Sequence, residues 1–452
     1  MKRNRIKKFA AIALTVALMI GIGLRPGRAE QRSQVSYLRG PYNIAYFNRH
    51  NSDFRLSAGF HFNHGKQHDE LLLSPFSRHA ETDVKLDQAS VAMLKDPPKT
   101  EPTMEYYGPY GARAIFRVYR AIDWTHMHHE QTYDILADRD IPWSKKKEWT
   151  DRSVNYYLNA ESKGVPRSPA PLDVTMRRAG VMMKPYFTYF RNYYPKSNNF
   201  AYVAHWWHPA AYESMMIAGN GDAQSTSLKQ MDDAMWKQVM SDRPQRMLLS
   251  REVMPRYSRL SPESANVFDN LHMLHGITYD ILAYPNWTIE QKKAELYRVL
   301  TAMSYQPGDE KLARKFNEPY PNVDPRVYAD WMKGSNGEMN RIMMEMMEEM
   351  MPMMMPNEMS PEMKEQMMAQ FRMKMMPGIQ EGEIEGSLHD AMMKLMPDMK
   401  MMPEAMEPGK TPTMMTEMML KGWQEKYGNM PDIAPLSMNV EPSALPPLAQ
   451  AN

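Results

Sequence analysis

Two stretches far apart in the chain are nearly the same fifteen residues. Asp123 to Ala137 reads DWTHMHHEQTYDILA, and Asp269 to Ala283 reads DNLHMLHGITYDILA. They agree without a gap at Asp123 and Asp269, His126 and His272, Met127 and Met273, His129 and His275, and through the closing run Thr132–Ala137 against Thr278–Ala283. A weaker echo follows in Lys146-Lys147 against Lys292-Lys293. Internal repeats mark a structural unit that buries its apolar face against a neighbour of the same kind. The fold is therefore expected to place two related units together.

Each unit reads as a helical hairpin. In the second, Ser261 is an N-cap with Pro262 at the first helical position, Pro285 stops the helix, and Thr288 with Gln291 forms a capping box for a return helix over about 289–303. In the first, the pattern predicts a helix from about Ala112 to Ala137, then a second one capped by Ser144 and running toward Asn159. Short connections make each pair antiparallel neighbours, and two such hairpins predict a pseudo-twofold four-helix core. The expected class is mainly α, with a duplicated helical domain over 111–335. Residues 30–110 read as an irregular N-terminal region, in which Leu56, Ala58, Phe60 and Phe62 alternate like a short strand.

Within the repeat lies the pattern His-x-x-His-x-x-x-Tyr-Asp. His126, His129 and Tyr133 fit it, as do His272, His275 and Tyr279; His205, His208, Tyr212 and Glu213 give a third copy, and His61, His64, His68 and Asp69 a looser fourth. Four such pairs among only 13 histidines set the pattern apart from scattered placement. Residues three apart on a helix share a face, with Cβ atoms about 5–6 Å apart. Asp123, His126, His129 or Glu130 and Tyr133 then form one stripe, and Asp269, His272, His275 and Tyr279 its counterpart. Facing stripes gather imidazoles and carboxylates around one space, and neutral imidazole is a ligand for copper, iron, zinc or nickel. The candidate ligands are thus His126, His129, His272, His275, His205, His208, His61, His64, Asp123, Asp269 and Glu130. Pro209 is expected to open a new helix directly after His208, which removes that pair from a common face. A strand would turn His61 and His64 to opposite sides, leaving His68 as the useful member of that copy. The bland counterpart is a buried His–Tyr–Asp network satisfied by its own hydrogen bonds. His50, His79, His128 and His389 read as ordinary residues.

The outer parts of the chain bound the setting. Lys2, Arg3, Arg5, Lys7 and Lys8 precede an uncharged apolar run from Phe9 to Leu24, and Gly27-Arg28-Ala29 offers small residues at a cleavage point. This layout predicts a signal peptide over 1–29 and a periplasmic or extracellular protein, with no transmembrane domain in the mature chain. The chain has no cysteine. That excludes disulfides, thiolate zinc, iron–sulfur clusters and c-type haem. A formal charge of +2 gives no ground for a nucleic-acid partner. The sequence shows no Ser–His–Asp nucleophile motif, no His-Glu-x-x-His and no phosphate loop.

Most of the 48 methionines fall in a Met-rich region over 336–430, ahead of a Pro-rich tail over 431–452 that is expected to be disordered. Ser360-Pro361 and Thr411-Pro412 read as starts of short C-terminal helices. Thioether sulfur is a soft ligand suited to Cu(I). By composition this region resembles those of exported copper-resistance proteins. Methionine is equally a pliable apolar filler suited to docking a protein partner, or a sink for oxidants. The aromatic run Tyr186–Tyr194 with Trp206-Trp207 reads as core packing. Taken together, the residues point to an exported metal-binding protein, with copper or iron favoured, in metal handling or redox chemistry. The alternatives are a non-enzymatic scaffold docking through the Met-rich helices and a redox protein holding non-covalent haem.

Overall fold

A short helix, one non-helical residue and a long helix follow one another four times among the described residues. The computed structural model describes residues 44–99, 104–159, 189–219, 221–304, 323–334, 360–366 and 368–369, and among them it shows helices and no strand. The elements are α1 (Ala45–Arg49), α2 (Asn51–Leu73) and α3 (His79–Lys95); α4 (Pro109–Ala114), α5 (Phe116–Ala137) and α6 (Trp143–Leu158); α7 (Tyr189–Tyr193), α8 (Pro195–Ala218) and α9 (Asp222–Ala234); then α10 (Ser250–Val253), α11 (Pro255–Leu260), α12 (Pro262–Ala283) and α13 (Ile289–Met303). The expected signal peptide, the tail over 431–452 and all but a few residues of the Met-rich region lie outside the described residues.

The non-helical residues share one backbone geometry. His50, Ile115 and Tyr194 have φ near −130° and ψ near 50° (−130/52, −129/47 and −131/53), and Ser261 has −144/87. Prolines at 195 and 262 push Tyr194 and Ser261 out of the helical region and fit the first turn of the helix that follows. No proline follows His50 or Ile115, and there the bend is held from a distance. Asp134 accepts hydrogen bonds from the backbone N–H of Ile44 (2.6 Å) and Tyr46 (2.7 Å) at the start of α1. Asp69 accepts from Tyr110 (3.1 Å) and Gly111 (2.6 Å) at the start of α4. Ile44 has φ 58°, costly for a β-branched residue, and the carboxylate bonds on both sides of it hold that turn.

The other two segments answer in kind. Asp280 accepts from Phe190 N–H (2.8 Å) at α7, and Glu213 accepts from Arg256 N–H (3.0 Å) and Tyr257 N–H (3.3 Å) at α11, with an ion pair to Arg256 at 2.7 Å. The acid on α2 therefore caps the lead-in to α5, and the acid on α5 caps the lead-in to α2. The same exchange joins α8 and α12. Carboxylates at helix N-termini satisfy donors that have no partner within the helix.

The long helices α2, α5, α8 and α12 are buried on nearly every side and form the centre; the return helices α3, α6, α9 and α13 pack outside them. Two core clusters cover the bundle. One joins Ile115, Val118 and Ile122 to Leu271, Ile277 and Ile281; the other joins Phe60, Tyr133 and Leu136 to Trp206, Trp207 and Tyr257. Gly65 lets the chain before α4 lie against α2: a Cβ there would meet Met104 O at 2.8 Å, and one on Gly108 would meet Gly65 O at 2.5 Å.

Several expectations hold and several need correction. Ser261 accepts from Ser264 N–H, the Thr288–Gln291 capping box is formed, and α13 spans Ile289–Met303. Ser360 likewise starts a helical turn, accepting from Met363 N–H. The aromatic run is core, with Tyr189, Phe190, Tyr193, Tyr194, Trp206 and Trp207 all buried. The irregular N-terminal region is instead helical: the strand-like alternation at Leu56–Phe62 lies in α2, where burial all round leaves no 3.6-residue stripe. The expected helix from Ala112 breaks at Ile115. Ser144 lies inside α6, and Pro142 stands at its N-cap position. Pro209 opens no helix; it sits inside α8. The central four helices are the four long ones, one from each segment, rather than two hairpins. The hairpins do form at its edge: Lys146 Nζ donates to Ile135 O (2.6 Å) and Asp138 O (2.8 Å), and Lys292 Nζ donates to Leu282 O (2.5 Å). Each lysine thereby ties a return helix to the carbonyl end of the long helix before it.

Candidate metal centre

The bent residues set the register of the histidines. The first histidine of each pair lies eleven residues past His50, Ile115, Tyr194 and Ser261, at His61, His126, His205 and His272. The second lies three further on, at His64, His129, His208 and His275. Equal spacing on four helices in one bundle brings all eight rings to the same level. His68, a turn beyond His64, makes a ninth. All nine residues are between 0 and 4 % exposed.

The rings meet one another. His61 stacks on His126 with centroids 3.8 Å apart, and His205 on His272 at 4.0 Å. His64 lies 4.2 Å from His275, and His61 4.5 Å from His208. His64, His126 and His275 each offer one ring nitrogen, and those three atoms lie within 4.8 Å of one another. That spacing suits a single ion coordinated by three imidazoles from α2, α5 and α12.

Hydrogen bonding leaves much of the array unmatched. No protein atom hydrogen-bonds either ring nitrogen of His64, His68, His129, His205 or His275, Nε2 of His208, or Nδ1 of His272. A buried polar group without a partner costs about 1–3 kcal/mol. Seven such rings together amount to on the order of 10 kcal/mol, comparable with the ~5–15 kcal/mol net stability of a whole domain. His128, by contrast, is matched at both nitrogens, by Ser153 Oγ (3.2 Å) and Ser264 Oγ (2.8 Å), and belongs to the framework as expected.

Burial keeps these rings neutral. Removal from water lowers His68 and His272 to about 3 and His208 to about 4, and it holds His64, His129, His205 and His275 well below the usual histidine range. Repulsion from neighbouring imidazoles adds to the effect at most of them. Neutral imidazole is the form that ligates metal, so no proton has to be displaced near pH 7.

The carboxylates divide. Asp123 Oδ1 lies 3.9 Å from His126 Nδ1. Asp269 turns to the start of α10, where it accepts from Ser250 N–H at 2.6 Å, and burial raises it to about 7. Glu130, buried one residue past His129, has no hydrogen-bond partner at either carboxylate oxygen. The motif acids Asp69, Asp134, Glu213 and Asp280 serve the helix starts described above. Two of the three motif tyrosines also work in the frame: Tyr133 OH donates to His208 O (3.0 Å) and Tyr212 OH to His129 O (2.8 Å), with their rings stacked at 4.2 Å, whereas the buried Tyr279 OH has no hydrogen-bond partner.

The four pairs expected to carry the chemistry thus come together, including the two that an extended or broken segment would have dispersed. His68 was outside the main ligand set. Its signal is positional: it takes the place that Tyr133, Tyr212 and Tyr279 hold in the other copies, and its ring lies 5.1 Å from that of Tyr279. No protein-family model, curated protein or solved structure matches this chain.

Proposed function

We propose that this protein binds a transition-metal ion through His64, His126 and His275 at the centre of its helical bundle, and that it acts outside the cytoplasm in metal handling or redox chemistry. The observation that carries the reading is the convergence of three buried imidazoles whose ligand atoms lie within 4.8 Å of one another. A protein that placed His64 and His275, whose ring nitrogens have no hydrogen-bond partner, only for packing would be more stable with apolar side chains of the same shape there.

Copper is the favoured ion, with iron second. Imidazole accommodates both. The three ligands are imidazoles with no carboxylate among them, and the nearest acid, Asp123, stands behind His126 with Oδ1 3.9 Å from Nδ1. The cost of burying an ion rises with the square of its charge, so a singly charged ion is carried into such a shell at the least cost. The close stacks of His61 on His126 and His205 on His272 leave no planar gap between these rings, which favours an ion over haem. Export rests on the basic, apolar and small-residue order of residues 1–29. The Met-rich region, by its composition, supplies soft sites from which copper would be passed inward.

Elemental analysis of the purified full chain tests the proposal. The protein is expected to carry tightly held copper or iron, and His64→Gln/His126→Gln/His275→Gln is expected to lose the ion at this centre. A chain that takes up no transition metal, or a folded triple variant with unchanged metal content, overturns it.

A further inference from the structure

The imidazole cluster has a counterpart in the same bundle. The reciprocal caps exchange α2 with α5 and α8 with α12. Under that exchange His64, His126 and His275 become His129, His61 and His208. These three rings do come together: His61 lies 5.9 Å from His129 and 4.5 Å from His208, and His129 lies 5.7 Å from His208. The corresponding separations in the first cluster are 6.0, 6.0 and 4.2 Å.

Two further rings stand beside the clusters. His205 lies 6.4 Å from both His64 and His275, on the side of the first cluster, and His272 stacks on His205. One group is therefore His64, His126 and His275, with His205 beside it; the other is His61, His129 and His208. The stacked pair His61–His126 joins one ring of one group to one ring of the other.

From this arrangement we infer a second metal centre, formed by His61, His129 and His208, so that the bundle holds a pair of transition-metal ions bridged by the stacked imidazoles of His61 and His126. The inference rests on the proposal that the first cluster binds metal. Independent features mark the second group as built. His208 Nδ1 lies 3.0 Å from Ala204 O, which assigns the proton to Nδ1 and leaves the lone pair on the buried Nε2. A ligating histidine commonly donates its other ring N–H to a backbone carbonyl in this way. His129 is buried with both ring nitrogens unpartnered. The backbone beneath the two rings is locked by the reciprocal tyrosine bonds, Tyr212 OH to His129 O and Tyr133 OH to His208 O. The ligand class is the same as at the first centre: an imidazole-binding ion, copper above all.

The test is a count. The full chain is stripped, loaded with excess Cu(I) without oxygen and desalted, and its copper is measured. Copper held on methionines is common to all variants and subtracts out. His129→Gln/His208→Gln is expected to hold one copper fewer than the wild type, His64→Gln/His275→Gln one fewer, and the fourfold variant two fewer. A folded His129→Gln/His208→Gln protein that keeps the wild-type count overturns the second centre while leaving the first intact. A wild-type count matched by all three variants overturns both. Should the double variant fail to fold, His208→Gln alone is decisive: a lowered occupancy of one ion supports the centre, and unchanged copper in the folded protein contradicts it.

Discussion

The two ends of each motif do opposite things. At the C-terminal end, Asp69, Asp134, Glu213 and Asp280 are engaged by the backbone N–H groups of neighbouring helices, and Tyr133 and Tyr212 donate to backbone carbonyls. One turn earlier, the imidazoles meet one another and leave most of their ring nitrogens without a protein partner. The same nine-residue pattern therefore supplies a frame and a site. Polar groups that specify a fold are satisfied within it, whereas polar groups held ready for a ligand carry a cost in stability until it binds.

This contrast makes the pH dependence of the metal-free protein the largest expected effect. A histidine buried neutral has a folded pKa below its unfolded value, so the unfolded state takes up protons first. Its contribution is intact above about pH 6.5 and is lost as pH falls toward the folded values of about 3 to 4 at His68, His272 and His208. Glu213 and Asp269, raised to about 7 by burial, act in the opposite sense over the same window and offset part of the loss. The imidazoles outnumber them. Circular dichroism across pH 7 to 4 is expected to show acid unfolding of the metal-free chain, with metal shifting the midpoint to lower pH. An acid midpoint that metal does not move would remove the distinction between frame and site.

Next in size is the frame itself. Asp134→Ala removes charge-assisted bonds to Ile44 and Tyr46 N–H and leaves the Tyr46 donor buried and the Ile44 donor half-buried, a loss of about 3–5 kcal/mol in denaturant unfolding. His129→Phe should act in reverse on the metal-free protein, raising its stability by about 1–2 kcal/mol by removing an unmatched buried ring, while lowering its copper content. A destabilised metal-free His129→Phe would place that ring in the frame. Smallest is Tyr212→Phe, which deletes one hydroxyl bond to His129 O and should cost about 1 kcal/mol with copper still bound.

Legibility in the sequence followed the range of the interaction. The start of α12 and the capping box of α13 were readable because Ser261, Pro262, Thr288 and Gln291 act on amides a few residues away. The convergence of His126, His129, His272 and His275 was readable from spacing. The helix carrying His61, His64 and His68 was not, because a helix surrounded by protein shows no polar face and its apolar residues fall into chance alternation. Pro209 misled for a related reason: the helix passes through it with packing from all sides, and tertiary burial outweighs one missing amide. Asp134 and Asp280 close the repeated pattern, but their partners Ile44 and Phe190 lie 90 residues away in sequence, and no local pattern encodes such a pairing.

The central claim, that buried imidazoles and not methionines hold the ion, is tested most directly by X-ray absorption at the copper edge on the loaded full-length protein. The account predicts a first shell of nitrogen at about 2.0 Å with the multiple scattering of imidazole rings. A first shell dominated by sulfur at about 2.3 Å would move the metal to the methionines and contradict it.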